Sequence, residues 1–176
     1  DSLQDLLERH EVLRTTFHAR DGEPVQRLEP VREVPLPLID LSANRDASAP
    51  LAPLLAGPIR ERARLPFDFT RDLMIRATLF RTQEQQHVLL LTVHHLACDG
   101  WSLRILFDEL SELYASRVLA RPASLPEIPI RYVDFAMWQR DARQERRFAE
   151  RIGWWKDQLA DAPPVLELPT DRPRPP

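Results

Sequence analysis

Leu3, Leu6, Leu7, His10 and Leu13 recur at spacings of three and four, which predicts an amphipathic helix over residues 3–14 with Ser2 able to cap it. The next two short segments, Thr15 to Ala19 and Val25 to Leu28, flank Asp21-Gly22, a dipeptide that tolerates positive φ at both positions and so predicts a β-hairpin. Pro35 and Pro37 cannot donate to a ladder, which confines Val34 to Leu41 to an edge strand or an extended connection. Residues 53–64 read as a helix that Gly57-Pro58 threatens to break. From Leu73 to Phe80 alternation with period two predicts a strand with one better-buried face. His87 to His95 is apolar on both parities, the pattern of a central strand covered on both sides, and the polar Gln83 to Gln86 joins the two strands as a hairpin. After Gly100, Leu103, Leu106, Phe107, Leu110, Leu113 and Tyr114 fall on one stripe of a long helix. Pro122, Pro126 and Pro129 punctuate a loop, and Tyr132 to Arg147 and Ala149 to Leu159 read as two further helices. Six prolines between Pro163 and Pro176 mark a linker or extended strap, so the chain divides into a packed unit over 1–162 and a Pro-rich segment over 163–176.

Composition removes whole classes of function. The chain has 176 residues, 43% apolar and 29% charged, with 24 Lys and Arg against 27 Asp and Glu, a net charge of −3. Nucleic-acid and anionic-membrane binding need a concentrated positive field that this balance does not supply. The longest apolar run, Val88 to Leu91, is far below the roughly 20 residues that cross a bilayer. No signal peptide opens the chain, which places it in the cytoplasm by expectation. A single cysteine, Cys98, excludes a disulfide framework within the chain and a zinc site built mainly from thiolates. Only 4 glycines stand against 17 prolines, so each glycine is expected where backbone freedom is needed. The absence of an initiator methionine and an opening already inside a helical pattern suggest a piece of a longer polypeptide.

The stretch richest in chemistry is Val93-His94-His95-Leu96-Ala97-Cys98-Asp99-Gly100-Trp101-Ser102, where an apolar strand ends in two histidines and a helix begins a few residues later. Strand ends that meet helix starts are where α/β folds place their sites. Alternation sends His94 and His95 to opposite faces, so one of them can address a cleft while the other packs, and they are not a shared metal pair. Asp99 needs a cationic or donor partner if it is buried, and the helix N-terminus beside Gly100 contributes unpaired N–H groups and positive potential. Cys98 is more readily a packing residue than a nucleophile. Arg140, Arg143, Arg146, Arg147 and Arg151 form a basic face, offset by Asp141, Glu145 and Glu150, that reads equally as a solvated surface or as a seat for an acidic partner.

The spacing His-His-x3-Asp-Gly, filled by His94, His95, Asp99 and Gly100, resembles the HHxxxDG motif of the condensation domains of nonribosomal peptide synthetases. Two further stretches carry the same resemblance. Arg9-His10-Glu11-Val12-Leu13-Arg14-Thr15-Thr16-Phe17 is similar to the family's RHExLRTxF, and Tyr132-Val133-Asp134-Phe135-Ala136-Met137-Trp138 to its YxDFAxW, followed by Trp154-Trp155-Lys156 and Leu168-Pro169-Thr170-Asp171-Arg172-Pro173 in the family's order. The resemblance spans almost the whole chain and corresponds to the N-terminal half of a condensation domain.

That resemblance implies an α/β fold like chloramphenicol acetyltransferase, a mixed sheet flanked by helices that forms one half of a two-subdomain domain. It implies amide formation, in which the amine of an aminoacyl group on a downstream carrier domain attacks the thioester of an acyl or peptidyl group on an upstream carrier. The partners implied are those two peptidyl carrier domains, the C-terminal condensation subdomain and an adenylation domain. No cofactor is bound by the domain itself; the phosphopantetheine arms of the carriers are substrates that enter a tunnel between the subdomains. By analogy His95 faces that tunnel as the catalytic residue, His94 packs, Gly100 lies at the passage, and Asp99 pairs with an arginine for which Arg9 and Arg14 are candidates. Trp101, Tyr132 and Trp138 are candidates for lining the tunnel or for the core. Two rivals stay open: an epimerization domain, which inverts an α-carbon without joining two substrates, and a non-catalytic recruitment domain on the same fold.

Overall fold

The computed structural model describes residues 1–44, 50–163, 165, 169, 171 and 172. The chain forms two compact units, Asp1–Pro129 and Ile130–Pro176, divided inside the proline-punctuated loop. Most of 163–176, where the Pro-rich strap was expected, lies outside the described residues, as do Leu168, Thr170 and Pro173 of the motif tail.

The first unit runs α1 (Ser2–Arg9), a 3-10 turn (Glu11–Arg14), β1 (Thr15–Arg20), β2 (Glu23–Leu28), β3 (Leu38–Asp40), a second 3-10 turn (Ser42–Asn44), α2 (Leu51–Ala63), β4 (Ile75–Gln83), β5 (Gln86–Val93) and α3 (Gly100–Val118). β1 and β2 pair antiparallel, Thr15 opposite Leu28, through a turn in which Asp21 and Gly22 both hold positive φ, 53° and 84°. β3, β4 and β5 form a mixed sheet with β4 in the middle, parallel to β3 (Leu38 opposite Leu79) and antiparallel to β5 (Ile75 opposite Val93). Sheet and helices thus give the α/β class expected of the sequence. Leu6 and Leu7 of α1, Leu13, Val34, Leu73, Ile75 and Ala77 of β4, and Leu106, Leu110 and Leu113 of α3 make one buried cluster. The core therefore ties the helix that follows the paired histidines to the strand that pairs with the one preceding them.

The second unit contains α4 (Tyr132–Gln139) and α5 (Ala142–Gln158). The Asp134 carboxylate accepts the Arg131 N–H at 2.9 Å and closes the start of α4.

Several expectations change. The first helix stops at Arg9 because His10 leaves helical geometry (φ −107°, ψ 89°), and Asp1, not Ser2, is its N-cap residue. The break lets the Leu13 carbonyl accept the Met74 N–H at 2.8 Å, which docks the segment on the approach to β4. β5 is an edge of the three-stranded sheet with Leu89 42% exposed, and β4 occupies the centre. A strand apolar on both parities is suited to burial on two faces, but pairing order decides which strand receives it. On α3 the buried side is Leu106, Glu109, Leu110, Leu113 and Ser116, while Leu103, Phe107 and Tyr114 turn outward. α2 continues through Gly57-Pro58: Pro58 removes one intrahelical bond on a helix whose sole buried residue is Leu55, where water can take the released carbonyl. The last two helices divide at Arg140-Asp141, earlier than the pattern indicated. Among the glycines only Gly22 holds a positive φ; Gly57 and Gly153 lie inside helices and Gly100 begins one.

Candidate active site

The site is a six-residue turn between β5 and α3. β5 ends at Val93, the His94 N–H donates to the Met74 carbonyl at 2.9 Å, and the Ala97 N–H donates back to the His94 carbonyl at 2.9 Å. This sharp return leaves the two histidines in different surroundings. His94 is half-buried, its ring meeting Phe69 edge-on at 4.7 Å and Phe67 at 5.5 Å. Its Nδ1 accepts the Leu96 N–H at 3.1 Å, so that nitrogen bears no proton. His95, in contrast, is exposed in the turn.

Asp99 closes the turn as the N-cap residue of α3. Its Oδ1 accepts the Ser102 N–H at 2.8 Å and the Ser102 hydroxyl at 2.6 Å. The Ser102 hydroxyl and backbone, with a further donation from the Trp101 N–H, hold the Asp99 carboxyl below the usual carboxylate range. Gly100 is the first residue of α3, and a Cβ built there would meet no atom within 4 Å. Trp101 projects outward, 82% exposed. Cys98 donates weakly to the Asp99 carbonyl at 3.5 Å, and burial together with the Asp99 charge pushes its thiol up, which disfavours the thiolate a nucleophile needs.

The arginines expected beside Asp99 are engaged elsewhere. Arg9 makes a two-pronged pair with the buried Glu109 of α3, Nε to Oε2 at 2.9 Å and Nη2 to Oε1 at 3.2 Å, and also donates to the Pro126 carbonyl. His10 Nε2 meets the same carboxylate at 2.5 Å. Arg14 donates to the Glu29 carbonyl at 2.5 Å and lies 3.8 Å from Glu11. The expected Asp99–arginine pair is therefore replaced by the Ser102 cap: an exposed carboxylate at a helix start finds backbone N–H groups three residues on, so a distant cation is not required. Tyr132 and Trp138 sit on α4 in the second unit, about half exposed, with Phe135 between them at ring distances of 6.0 and 5.6 Å.

Sequence reasoning passed over Ser102, Glu109, Phe67 and Phe69. Ser102 was legible in the Asp-x-x-Ser capping spacing, and Glu109 as a carboxylate on an otherwise apolar stripe. Nothing in Phe67-Asp68-Phe69 announced that both rings would meet a histidine 25 or more residues away. Among the described residues no three His, Cys, Asp or Glu side chains converge to hold a metal ion, and no helix is long and apolar enough to cross a membrane.

The sequence profile of the family described as Condensation domain matches residues 1–176. The chain is 40% identical over 178 residues to a linear gramicidin synthase from Brevibacillus parabrevis and 41% identical over 176 residues to phosphinothricin tripeptide synthetase PhsC of Streptomyces viridochromogenes. Each alignment takes 99% of this chain, but it covers only 2% of the first relative and 16% of the second. Among solved structures it resembles the X-domain from teicoplanin biosynthesis, with a TM-score of 0.77 and 30% identity, over 99% of this chain and 38% of that one. A family match along the whole length, on a fold that seats the paired histidines between strand and helix, identifies this chain as a member of the condensation domain family.

Proposed function

We propose that this chain is the N-terminal half of a peptide-bond-forming condensation domain of a nonribosomal peptide synthetase, with His95 as the catalytic residue. The observation that carries the proposal is the exposed position of His95 at the crest of a turn whose other histidine is packed and whose end opens the N-terminus of α3. In the proposed reaction the amine of the downstream aminoacyl group attacks the upstream thioester carbonyl; a C–N bond forms, the C–S bond breaks, and the carrier thiol leaves. An α-amine has a pKa of about 8, so a large fraction is already neutral near that pH and a strong base is unnecessary. His95 accepts a hydrogen bond from the amine, receives its proton as the tetrahedral intermediate collapses, and returns it to the departing thiolate, which leaves as the thiol. Such acid–base help is worth about 10²–10⁴-fold, while approximation of two tethered substrates contributes effective molarities of up to roughly 10⁵–10⁸ M. The Gly100 N–H at the entrance of α3 is the donor we assign to the developing oxyanion, since the Trp101 and Ser102 N–H groups serve Asp99. The substrates enter as phosphopantetheine thioesters of upstream and downstream carrier domains, and the C-terminal subdomain completes the passage they share. The acyltransferase class and the cytoplasmic setting belong to the same proposal.

The test is intact-mass spectrometry of both loaded carriers, using the complete domain in its parent protein and its His95→Ala variant. A discharged donor and an acceptor heavier by the donor acyl group, lost in the variant, supports condensation through His95. α-Carbon inversion on one carrier without mass transfer would move the assignment to epimerization, and no change of either kind to recruitment.

A further inference from the structure

His94 does not simply fill space beneath the turn; its ring is part of the turn. Nδ1 accepts the Leu96 N–H at 3.1 Å, beside the backbone bond from the Ala97 N–H to the His94 carbonyl at 2.9 Å, so the orientation of the imidazole bears on the backbone that follows His95. An imidazole alone rotates about χ2, and a half-turn would replace the accepting Nδ1 by Cδ2–H and leave the Leu96 N–H without its acceptor. What stops that rotation is outside the motif. Phe69 and Phe67 meet the ring edge-on, at interplanar angles of 67° and 68°. The residues that carry the two rings are themselves anchored. The Phe69 carbonyl accepts the Phe17 N–H of β1 at 2.8 Å. The Arg76 guanidinium of β4 lies 3.9 Å over the Phe67 ring, and it is anchored by the Leu65 carbonyl at 2.9 Å, the Pro66 carbonyl at 2.6 Å and the Asp72 carboxylate at 2.8 Å. Asp72 in turn accepts the Asp68 N–H at 3.0 Å, between the two phenylalanines.

We infer that Phe67, lying under Arg76, and Phe69, whose backbone is bonded to β1, are positioning residues for the reaction proposed above: they hold the His94 imidazole in one orientation and tautomer and so set the placement of His95. The inference rests on that functional reading only for its kinetic consequence. A packing role would require apolar volume at these positions; a positioning role requires an aromatic edge. Leucine and tyrosine separate the two, because Phe69→Leu keeps apolar bulk without the ring and Phe69→Tyr keeps the ring. Phe69 is 39% exposed, so neither change excavates the core.

The experiment uses the complete domain in its parent protein, labelled with ¹⁵N-histidine, with the His94 signals assigned through His94→Gln. In the wild type His94 is expected as a single tautomer with Nδ1 unprotonated; Phe69→Leu is expected to mix the tautomers and Phe69→Tyr to preserve the wild-type signal. In the carrier-transfer assay Phe69→Leu is expected to lower kcat about a hundredfold, the cost of a misplacement near 1 Å, at unchanged KM, with Phe69→Tyr close to wild type. Arg76→Gln, which leaves both rings but removes the cation that fixes one of them, serves as the second variant and is expected to shift both readouts the same way. Unchanged tautomer signals in Phe69→Leu and Arg76→Gln, or a changed tautomer with unchanged kcat, would overturn the inference. A wild-type domain that transfers no acyl group would instead defeat the functional reading, and the histidine signals would still decide whether the rings hold His94.

Discussion

Asp99 and Ser102 form a closed N-cap: one carboxylate oxygen accepts both the Ser102 N–H and its hydroxyl, at 2.8 and 2.6 Å. The aspartate of the paired-histidine motif is thereby a helix-starting residue, and it fixes where α3 begins relative to His95. An asparagine side chain retains an amide oxygen able to cap, whereas alanine does not. Asp99→Asn is therefore expected to keep far more helix stability and acyl transfer than Asp99→Ala, measured by thermal unfolding and by carrier mass shift. Equal losses in the two variants would point to a requirement for the negative charge itself.

Gly100 gives a steric test of the same turn. Its φ is not positive and a Cβ there meets nothing within 4 Å, so the fold does not demand glycine. If a carrier arm passes this point, the open space is where it passes. Gly100→Leu is expected to leave thermal unfolding within a few degrees of wild type while abolishing transfer, with Gly100→Ala between. Normal turnover by the leucine variant would place the substrate elsewhere.

Local order was legible where one residue's own chemistry dictates the backbone. Asp21-Gly22 specifies its hairpin because both positions tolerate the positive φ that the turn requires, and the alternation over Leu73 to Phe80 specifies β4. The different surroundings of the two histidines arise in the turn beyond Val93 and not from strand alternation, because β5 ends before either of them. What could not be read was which surface each apolar face meets. β5 has the composition of a central strand and stands at an edge, and α3 turns Phe107 and Tyr114 outward while burying Glu109, because burial is a property of pairing partners distant in sequence. The Phe67–His94–Phe69 contact is invisible for that reason too: it exists only after β1 and β4 bring the preceding loop under the turn.

Cys98 tests the boundary of the catalytic set. Burial and the adjacent Asp99 charge push its thiol above the ordinary cysteine value, so at neutral pH less thiolate is present than on a free cysteine. Cys98→Ser is expected to transfer acyl groups at close to the wild-type rate, and alkylation of Cys98 by iodoacetamide to be slower than that of a free thiol and to accelerate only at higher pH. A variant without activity would return the thiol to the mechanism.

Glu109 is a buried group through which pH reaches the fold. Burial by itself would raise its carboxyl, but the hydrogen bonds from Arg9 and His10 and their charges outweigh it and hold it below the usual glutamate value. A carboxyl depressed in the folded state stabilises above its unfolded pKa, because the unfolded chain then binds protons more readily than the folded one. That contribution is complete near neutral pH and is lost as pH falls from the ordinary glutamate range through the lower folded value. Glu109→Gln keeps the side-chain shape and one acceptor but removes the ionisable group, leaving Arg9 and His10 against a neutral amide. The expected cost is about 2 kcal/mol at pH 7, the scale of hydrogen bonds to charged groups, measured by urea unfolding of the complete domain. The difference between wild type and Glu109→Gln should shrink as pH drops below about 4.5, where the wild-type carboxylate of the unfolded chain begins to protonate. A difference that stays constant from pH 7 to pH 3 would show that the Arg9–Glu109–His10 contact is not ionic in the folded protein.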